Sequence, residues 1–176
     1  RQRQMCIRDR FMGVPYTFAL AVNMAEKEGI KCDLSSLRLC VSGGSALPIS
    51  VMERFKQYYG LNIAQLWGLT ETVAHVTCQS VDGTGKPGSV GKALSGWEVK
   101  IVDDNDKELP LNQSGEVIVR GPFMKGYWAN PEDTAQVIRG GWLYTGDIGK
   151  IDEDGELFIL GLKKDMILVK GQNIYP

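Results

Sequence analysis

The stretch LWGLTET, Leu66 to Thr72, sets a hydroxyl, a carboxylate and a flat aromatic ring side by side. Thr70 can meet a phosphate oxygen, Glu71 offers magnesium a hard oxygen ligand, and Trp67 presents a face on which a purine can stack. A core Trp and a solvated Glu fit the same letters, so this stretch alone leaves both readings open. SGGSALP, Ser42 to Pro48, is a small-residue loop that lets a ligand approach the backbone, with helix-start amides following that favour anions. By itself it could equally be a tight turn. In YTGDIGKIDEDGEL, Asp147 follows a glycine, where a carboxylate can accept hydrogen bonds from both hydroxyls of a ribose or merely cap a turn. GLKKDMILVKGQNIYP, from Gly161 to Pro176, reads as an exposed linker or a hinge. The single histidine, His75, lies just past the Thr-Glu pair and reads as a packing residue or one that supports the pair from behind, not as a catalytic group.

These residues need elements to place them. The pattern from Pro15 to Glu28, closed by Gly29, predicts a helix with Pro in its first turn and Gly past its end. Leu37 to Val41 reads as a buried strand, Pro48 to Tyr59 as a helix ended by Gly60, and Asn62 to Trp67 as a second strand. Strand, loop, helix, strand is a crossover unit of a parallel sheet, and both loops after strands then emerge at its carboxyl edge, where ligands are usually held. Beyond about Ser80 the texture turns to Gly and short alternating strands: Glu98 to Val102, Glu116 to Arg120, Leu143 to Thr145 and Glu156 to Leu160. One helix, opened by Asn130 and Pro131, interrupts them. The fold class expected is therefore α/β, a parallel-sheet crossover portion followed by a mostly antiparallel β subdomain. The boundaries expected are 11–80 and 81–160, with 161–176 as hinge and start of a further domain. Residues 1–10, RQRQMCIRDR, have no apolar period and read as a foreign lead resembling translated adaptor sequence.

Bulk properties narrow the classes. A chain of 176 residues, 43% hydrophobic and 23% charged, can bury a core and is not globally disordered. Its formal net charge is -1, and setting aside the four Arg and one Asp of the first ten residues leaves 16 basic and 20 acidic side chains. That balance advertises no nucleic-acid surface. Cys6, Cys32, Cys40 and Cys78 contain no CxxC pair, which fits neither a zinc site nor a disulfide framework and favours a reducing, cytoplasmic setting. No apolar run approaches the roughly 20 residues that span a bilayer.

Taken in order and spacing, SGGSALP, LWGLTET, GEVIVRGPFMKGYW, YTGD and GLKKD resemble the acyl-activating, AMP-forming synthetase family of acyl-CoA synthetases, peptide-synthetase adenylation domains and luciferases. The resemblance runs from Phe11 to Pro176 and is greatest to fatty acyl-CoA ligases. It implies a magnesium-assisted reaction in which a carboxylic acid and ATP give an acyl-adenylate and pyrophosphate, the acyl group passing next to the thiol of coenzyme A. By the same resemblance Gly44, Ser45 and Ala46 line the adenine, with Trp67 standing for the family's usual Tyr against its face and Gly68 beside it. Thr70 and Glu71 are the catalytic pair, Thr70 on the α-phosphate and Glu71 on magnesium, and Asp147 holds the ribose. Lys164 and Asp165 fall at the hinge. Glu116 and Tyr127 match a family signature and are expected to be mainly structural. The acyl pocket is implied around Val14, Pro15, Tyr16 and Thr17, the SGG loop including Gly44, and Leu66. Many long-chain enzymes have Gly where Leu66 stands, so this side chain should shorten or redirect the pocket. No Ser, His, Asp triad signature is present, and none is required by this chemistry.

Two departures bear on activity. Leu162 stands where the family usually has an Arg that helps bind ribose. The family's phosphate loop and adenylation lysine lie outside Phe11 to Pro176, so the isolated polypeptide is expected to have negligible adenylation activity. The alternatives are an adenylation domain that loads a carrier protein in place of coenzyme A, and a nucleotide-binding or acyl-binding remnant without catalysis.

Overall fold

The computed structural model describes residues 9–30, 33–82 and 84–165, together with the backbone of Ile167–Val169 and Gln172–Ile174. Contacts divide the chain into two units, Arg1–Trp67 with Gln79–Gly88, and Gly68–Cys78 with Ser89–Pro176. Cys6, Cys32 and residues 1–8 lie outside the described residues.

In the first unit the order is β1 (Arg10–Gly13), α1 (Pro15–Lys27), β2 (Leu39–Ser42), α2 (Ile49–Tyr59) and β3 (Ile63–Gly68). Pro15 sits in the first turn of α1, where its missing N–H costs nothing, and Gly60 closes α2 in the left-handed region at φ 69° while its N–H bonds Lys56 O at 2.8 Å. Phe18 and Val22 on α1, and Val51 and Phe55 on α2, recur at a spacing of four and form apolar stripes. Together with Cys40, Leu47 and Ile63 they make the core of this unit. Phe18 meets Phe55 edge to face at 5.3 Å and 86°, an arrangement worth about 0.5–1.5 kcal/mol beyond burial. The three strands are parallel, with Gly13 and Gln65 flanking Ser42 in register. The expected crossover unit is thus present, its strand ends shifted by one or two residues. Arg10 opens β1 opposite Leu39, and Asp9 O accepts from the Arg38 and Leu39 amides, so the last two residues of the expected foreign lead take part in this pairing.

The second unit pairs β4 (His75–Cys78) with β5 (Lys92–Ala93), antiparallel. A further antiparallel sheet holds β6 (Glu98–Val102), β7 (Gly115–Arg120), β8 (Ile138–Arg139), β9 (Trp142–Ile151) and β10 (Leu157–Leu162), with α3 (Pro131–Val137) before β8. Its order is β10-β9-β7-β6, with β8 on β9. A hairpin of β11 (Ile167–Val169) and β12 (Gln172–Ile174) follows. Val117, Ile118 and Val119 of β7 are all buried, so the middle of this strand is covered on both faces. Asn130 caps α3 by accepting from the Asp133 amide, and Pro131 is its first residue. The strand expected at Leu143 to Thr145 is in fact ten residues long. Gly146, Asp147 and Gly149 lie inside it, so Asp147 sits within a strand and not at a turn. No helix among the described residues is long and apolar enough to cross a membrane.

Candidate functional site

In the first unit the loop after β2 is built on close approach. Gly43 N bonds Gly13 O at 3.2 Å, fastening the loop to the end of β1. A Cβ on Gly43 would lie 2.4 Å from Leu66 Cδ1, so the glycine lets the Leu66 side chain lie against this loop in its present position. Gly44 adopts φ 87°, and a Cβ there would lie 3.8 Å from Val14 Cγ1. Buried Leu47 anchors the far end of the loop in the core, leaving Gly44, Ser45 and Ala46 exposed. Val14, the SGG loop and Leu66 therefore meet at the carboxyl edge of the parallel strands. Thr17 N bonds Val14 O at 2.9 Å and its side chain is half-buried, whereas Tyr16 is 72% exposed. Trp67 is half-buried near the end of β3.

The residues that follow belong to the second unit. A Cβ on Gly68 would lie 2.2 Å from Ala74 O and 2.9 Å from His75 Cα, so the chain can double back only with glycine there. His75 opens β4 directly after that turn and is half-buried. Thr72, which sequence reasoning left without a role, is the staple of the turn. Its Oγ1 accepts from Leu69 N at 2.9 Å and lies 2.8 Å from both Leu69 O and Ala74 O, with the residue 1% exposed. Val73 takes φ 62°, a costly conformation for a β-branched residue that this stapled turn maintains. Thr70 is left exposed and Glu71 half-buried beside it.

Glu71 is held twice. Its carbonyl accepts from Met124 N at 2.7 Å, and its Oε1 accepts from Tyr127 Oη at 2.9 Å. The bond to Glu71 is the main cause, and partial burial a lesser one, that holds the Tyr127 hydroxyl above the usual phenol range. The hydroxyl stays protonated and can go on donating. No group of three or more His, Cys, Asp or Glu that could hold a metal is found among the described residues. A single fixed carboxylate nevertheless fits magnesium, which keeps several waters and takes one or two carboxylates plus phosphate oxygens.

Asp147 lies inside β9 at a bulge. Glu116 of β7 stands opposite Ile148 and Ile118 opposite Tyr144, so Thr145, Gly146 and Asp147 face the single residue Val117. Thr145 Oγ1 donates to Val117 O at 2.7 Å and accepts from Asp147 N at 3.1 Å, pinning the bulge. Asp147 is 5% exposed. Leu162 on β10 is directly opposite it in register. Thr145, Gly146, Leu162, Lys163 and Lys164 line an open depression. Lys163 to Asp165 form one turn of 3-10 helix, with Lys164 and Asp165 exposed.

Within each unit the geometry gathers the candidates into small groups: Val14, the SGG loop and Leu66 in the first, and in the second Thr70 with Glu71, and Asp147 with the start of the expected hinge. Tyr127 and Glu116, expected to be mainly structural, touch Glu71 and the Gly146 amide respectively. The signal available beforehand was the GEVIVRGPFMKGYW signature itself, which marks the residues without saying what they touch.

The AMP-binding enzyme family matches residues 9–128. The chain is 42% identical over 146 residues to a long-chain-fatty-acid–CoA ligase of Bacillus subtilis (strain 168), covering 82% of this chain and 26% of that protein. It is 41% identical over 169 residues to a long-chain-fatty-acid–CoA ligase of Escherichia coli O6:H1, covering 92% of this chain and 30% of that one. Among solved structures, an anthranilate CoA ligase in complex with anthranoyl-AMP superposes with a TM-score of 0.87 at 35% identity, over 98% of this chain and 33% of that one. The chain thus spans about a quarter to a third of the relatives it matches.

Proposed function

The chain belongs to the AMP-binding enzyme family, and from that premise we propose that it is the part of an ATP-dependent acyl-CoA ligase that reads the nucleotide and begins the acyl pocket. The substrate class is a carboxylic acid, with a fatty acid favoured by the likeness to long-chain-fatty-acid–CoA ligases. One observation carries the reading: the stapled turn at the end of β3 leaves the Thr70 hydroxyl exposed next to a Glu71 carboxylate whose orientation is held.

In the first half-reaction a carboxylate oxygen of the acid attacks the α-phosphorus of ATP, and the bond to pyrophosphate breaks. Thr70 donates to an α-phosphate oxygen, and Glu71 orients its carboxylate for the metal. When bound, magnesium neutralises part of the charge that builds on the phosphates. Asp147 accepts from the ribose hydroxyls, fixing the α-phosphorus relative to Thr70. Gly44, Ser45 and Ala46 offer exposed backbone to the adenine, and Trp67 offers its ring. In the second half-reaction the coenzyme A sulfur attacks the acyl carbonyl and AMP leaves, with Lys164 and Asp165 at the turn on which the remainder of such an enzyme would move.

The purified chain should bind a fatty acyl-sulfamoyl-adenosine, a stable mimic of the adenylate, more tightly than AMP, and Asp147→Ala should weaken both. Equal affinity for the two ligands, or affinity indifferent to Asp147, rejects the reading. The acid itself is identified by coenzyme A thioester formation from the complete reading frame, offered medium-chain, long-chain and aryl acids in parallel.

A further inference from the structure

We propose that Tyr127 is a positioning residue for the metal-binding carboxylate, its hydroxyl holding Glu71 Oε1 so that Oε2 is presented to the cation; the inference rests on the reading of Glu71 given above. The two residues are 56 apart in sequence and both lie in the second unit.

Glutamate has three rotatable bonds, and a half-exposed carboxylate left alone would sample many directions. Here the main chain of Glu71 is tied by Met124 N, and the side chain by Tyr127 Oη three residues further on. That loop is itself braced. Tyr127 N donates to Thr134 Oγ1 at 2.9 Å, Thr134 Oγ1 donates to Asn130 O at 2.7 Å, and Asn130 caps α3. A chain of fixed donors therefore runs from a helix start to one carboxylate oxygen. No protein donor to Oε2 is found among the described residues.

Stability alone accounts poorly for the tyrosine hydroxyl. Tyr127 is 38% exposed, so water replaces a lost partner at small cost. Orientation of a metal-binding carboxylate is different, because removing an outer hydrogen-bond partner of a ligand typically weakens metal affinity by about 10–100-fold. Tyr127→Phe keeps the ring and removes only the donor.

The test titrates Mg2+ against the purified chain in the presence of ATP, repeats ATP binding in EDTA, and records thermal midpoints. Tyr127→Phe should raise the Mg2+ concentration needed for half-maximal stimulation about tenfold, leaving EDTA binding and the thermal midpoint unchanged. Glu71→Gln should abolish the stimulation. Tyr127→His, which restores a donor of different reach, should recover part of the Mg2+ response if the phenylalanine variant proves unstable. An unaltered Mg2+ response in Tyr127→Phe while Glu71→Gln loses it overturns the role of Tyr127 alone. A response that survives Glu71→Gln, or a parent chain whose ATP binding ignores Mg2+, overturns the inference together with the metal assignment beneath it.

Discussion

Lys163 and Glu116, 47 residues apart, join the end of β10 to the bulge of β9. Lys163 Nζ donates to Glu116 Oε2 at 2.8 Å while Glu116 Oε1 accepts from Gly146 N at 3.3 Å. One carboxylate thus braces both the residue before Asp147 and the first residue of the expected hinge turn. Asp104 adds a second oxygen 3.3 Å from the same ammonium.

That pair has a pH signature. The hydrogen bond to Glu116 is the main cause that lifts the Lys163 ammonium above its ordinary value of 10.5, with burial opposing it. A raised lysine contributes stability that is fully present below the unfolded pKa and is lost as pH rises through the higher folded one. With the lysine side chain 40% exposed, solvent screens the attraction, and Lys163→Met should cost about 1 kcal/mol or less. Urea midpoints of parent and variant should differ by a constant amount from neutral pH to about pH 10, and converge above it. A gap that persists undiminished into stronger alkali would mean that Lys163 acts by packing its methylenes and not by charge.

The register that sets Leu162 opposite Asp147 permits a gain-of-affinity test. Directly paired residues of antiparallel strands put their side chains on one face, about 4.5–5.5 Å apart at Cβ. Leu162→Arg therefore places a guanidinium beside the proposed ribose carboxylate, within reach of a ribose oxygen. A hydrogen bond involving a charged group is worth about 1.5–3 kcal/mol, so AMP should bind at least tenfold more tightly. If calorimetry gives unchanged affinity in a folded variant, this position has no part in holding ribose.

These relationships also mark what the sequence could not display. Pro15, Pro48 and Gly60 punctuate α1 and α2 by local chemistry, and Phe18, Val22, Val51 and Phe55 repeat at helical spacing, so that half of the fold was legible in outline. Glu98–Val102 alternates cleanly enough to be found to the residue. β9 was not legible, because Gly146 and Gly149 look like turns unless β7 and β10 are known to flank them. Short β4 passed unnoticed for want of its partner β5. At the candidate site, residue types suggested Thr70, Glu71 and Asp147, but partnerships 56 and 47 residues apart leave no local trace. The family signature marked Tyr127 and Glu116 without showing that one meets Glu71 and the other braces Gly146 and Lys163.

Cys40 provides a check on the core. It is 1% exposed among Phe18, Leu47 and Phe55, and burial alone pushes its thiol above the ordinary range. A buried protonated thiol is a poor nucleophile. Iodoacetamide at neutral pH should leave Cys40 unmodified in the native chain and label it fully in denaturant, as peptide mass mapping would reveal. Cys40→Ser should cost about 1–3 kcal/mol by placing a hydroxyl in an apolar cluster. Native-state labelling of Cys40 at the rate of a free thiol would contradict the core described above.

Leu66 is the side chain with which the acyl reading is most exposed to disproof. It leans on the SGG loop so closely that even a methyl group on Gly43 would overlap it, with 2.4 Å between the carbons. If the acyl chain passes this edge, Leu66 limits its room, and Leu66→Gly should admit a longer tail. Each methylene newly accommodated is worth about 1–3 kcal/mol, although glycine in a strand gives back some stability. The affinity ratio of long-chain to medium-chain acyl-sulfamoyl-adenosine is the proper measurement, since a general loosening of the fold weakens both ligands and cancels. That ratio should rise about tenfold in Leu66→Gly. Gly43→Ala should lower affinity for both, because either the loop or Leu66 must shift. An unchanged ratio in a variant that still binds AMP would place the acyl chain away from Leu66, and the pocket inferred around Val14 and the SGG loop would have to be abandoned.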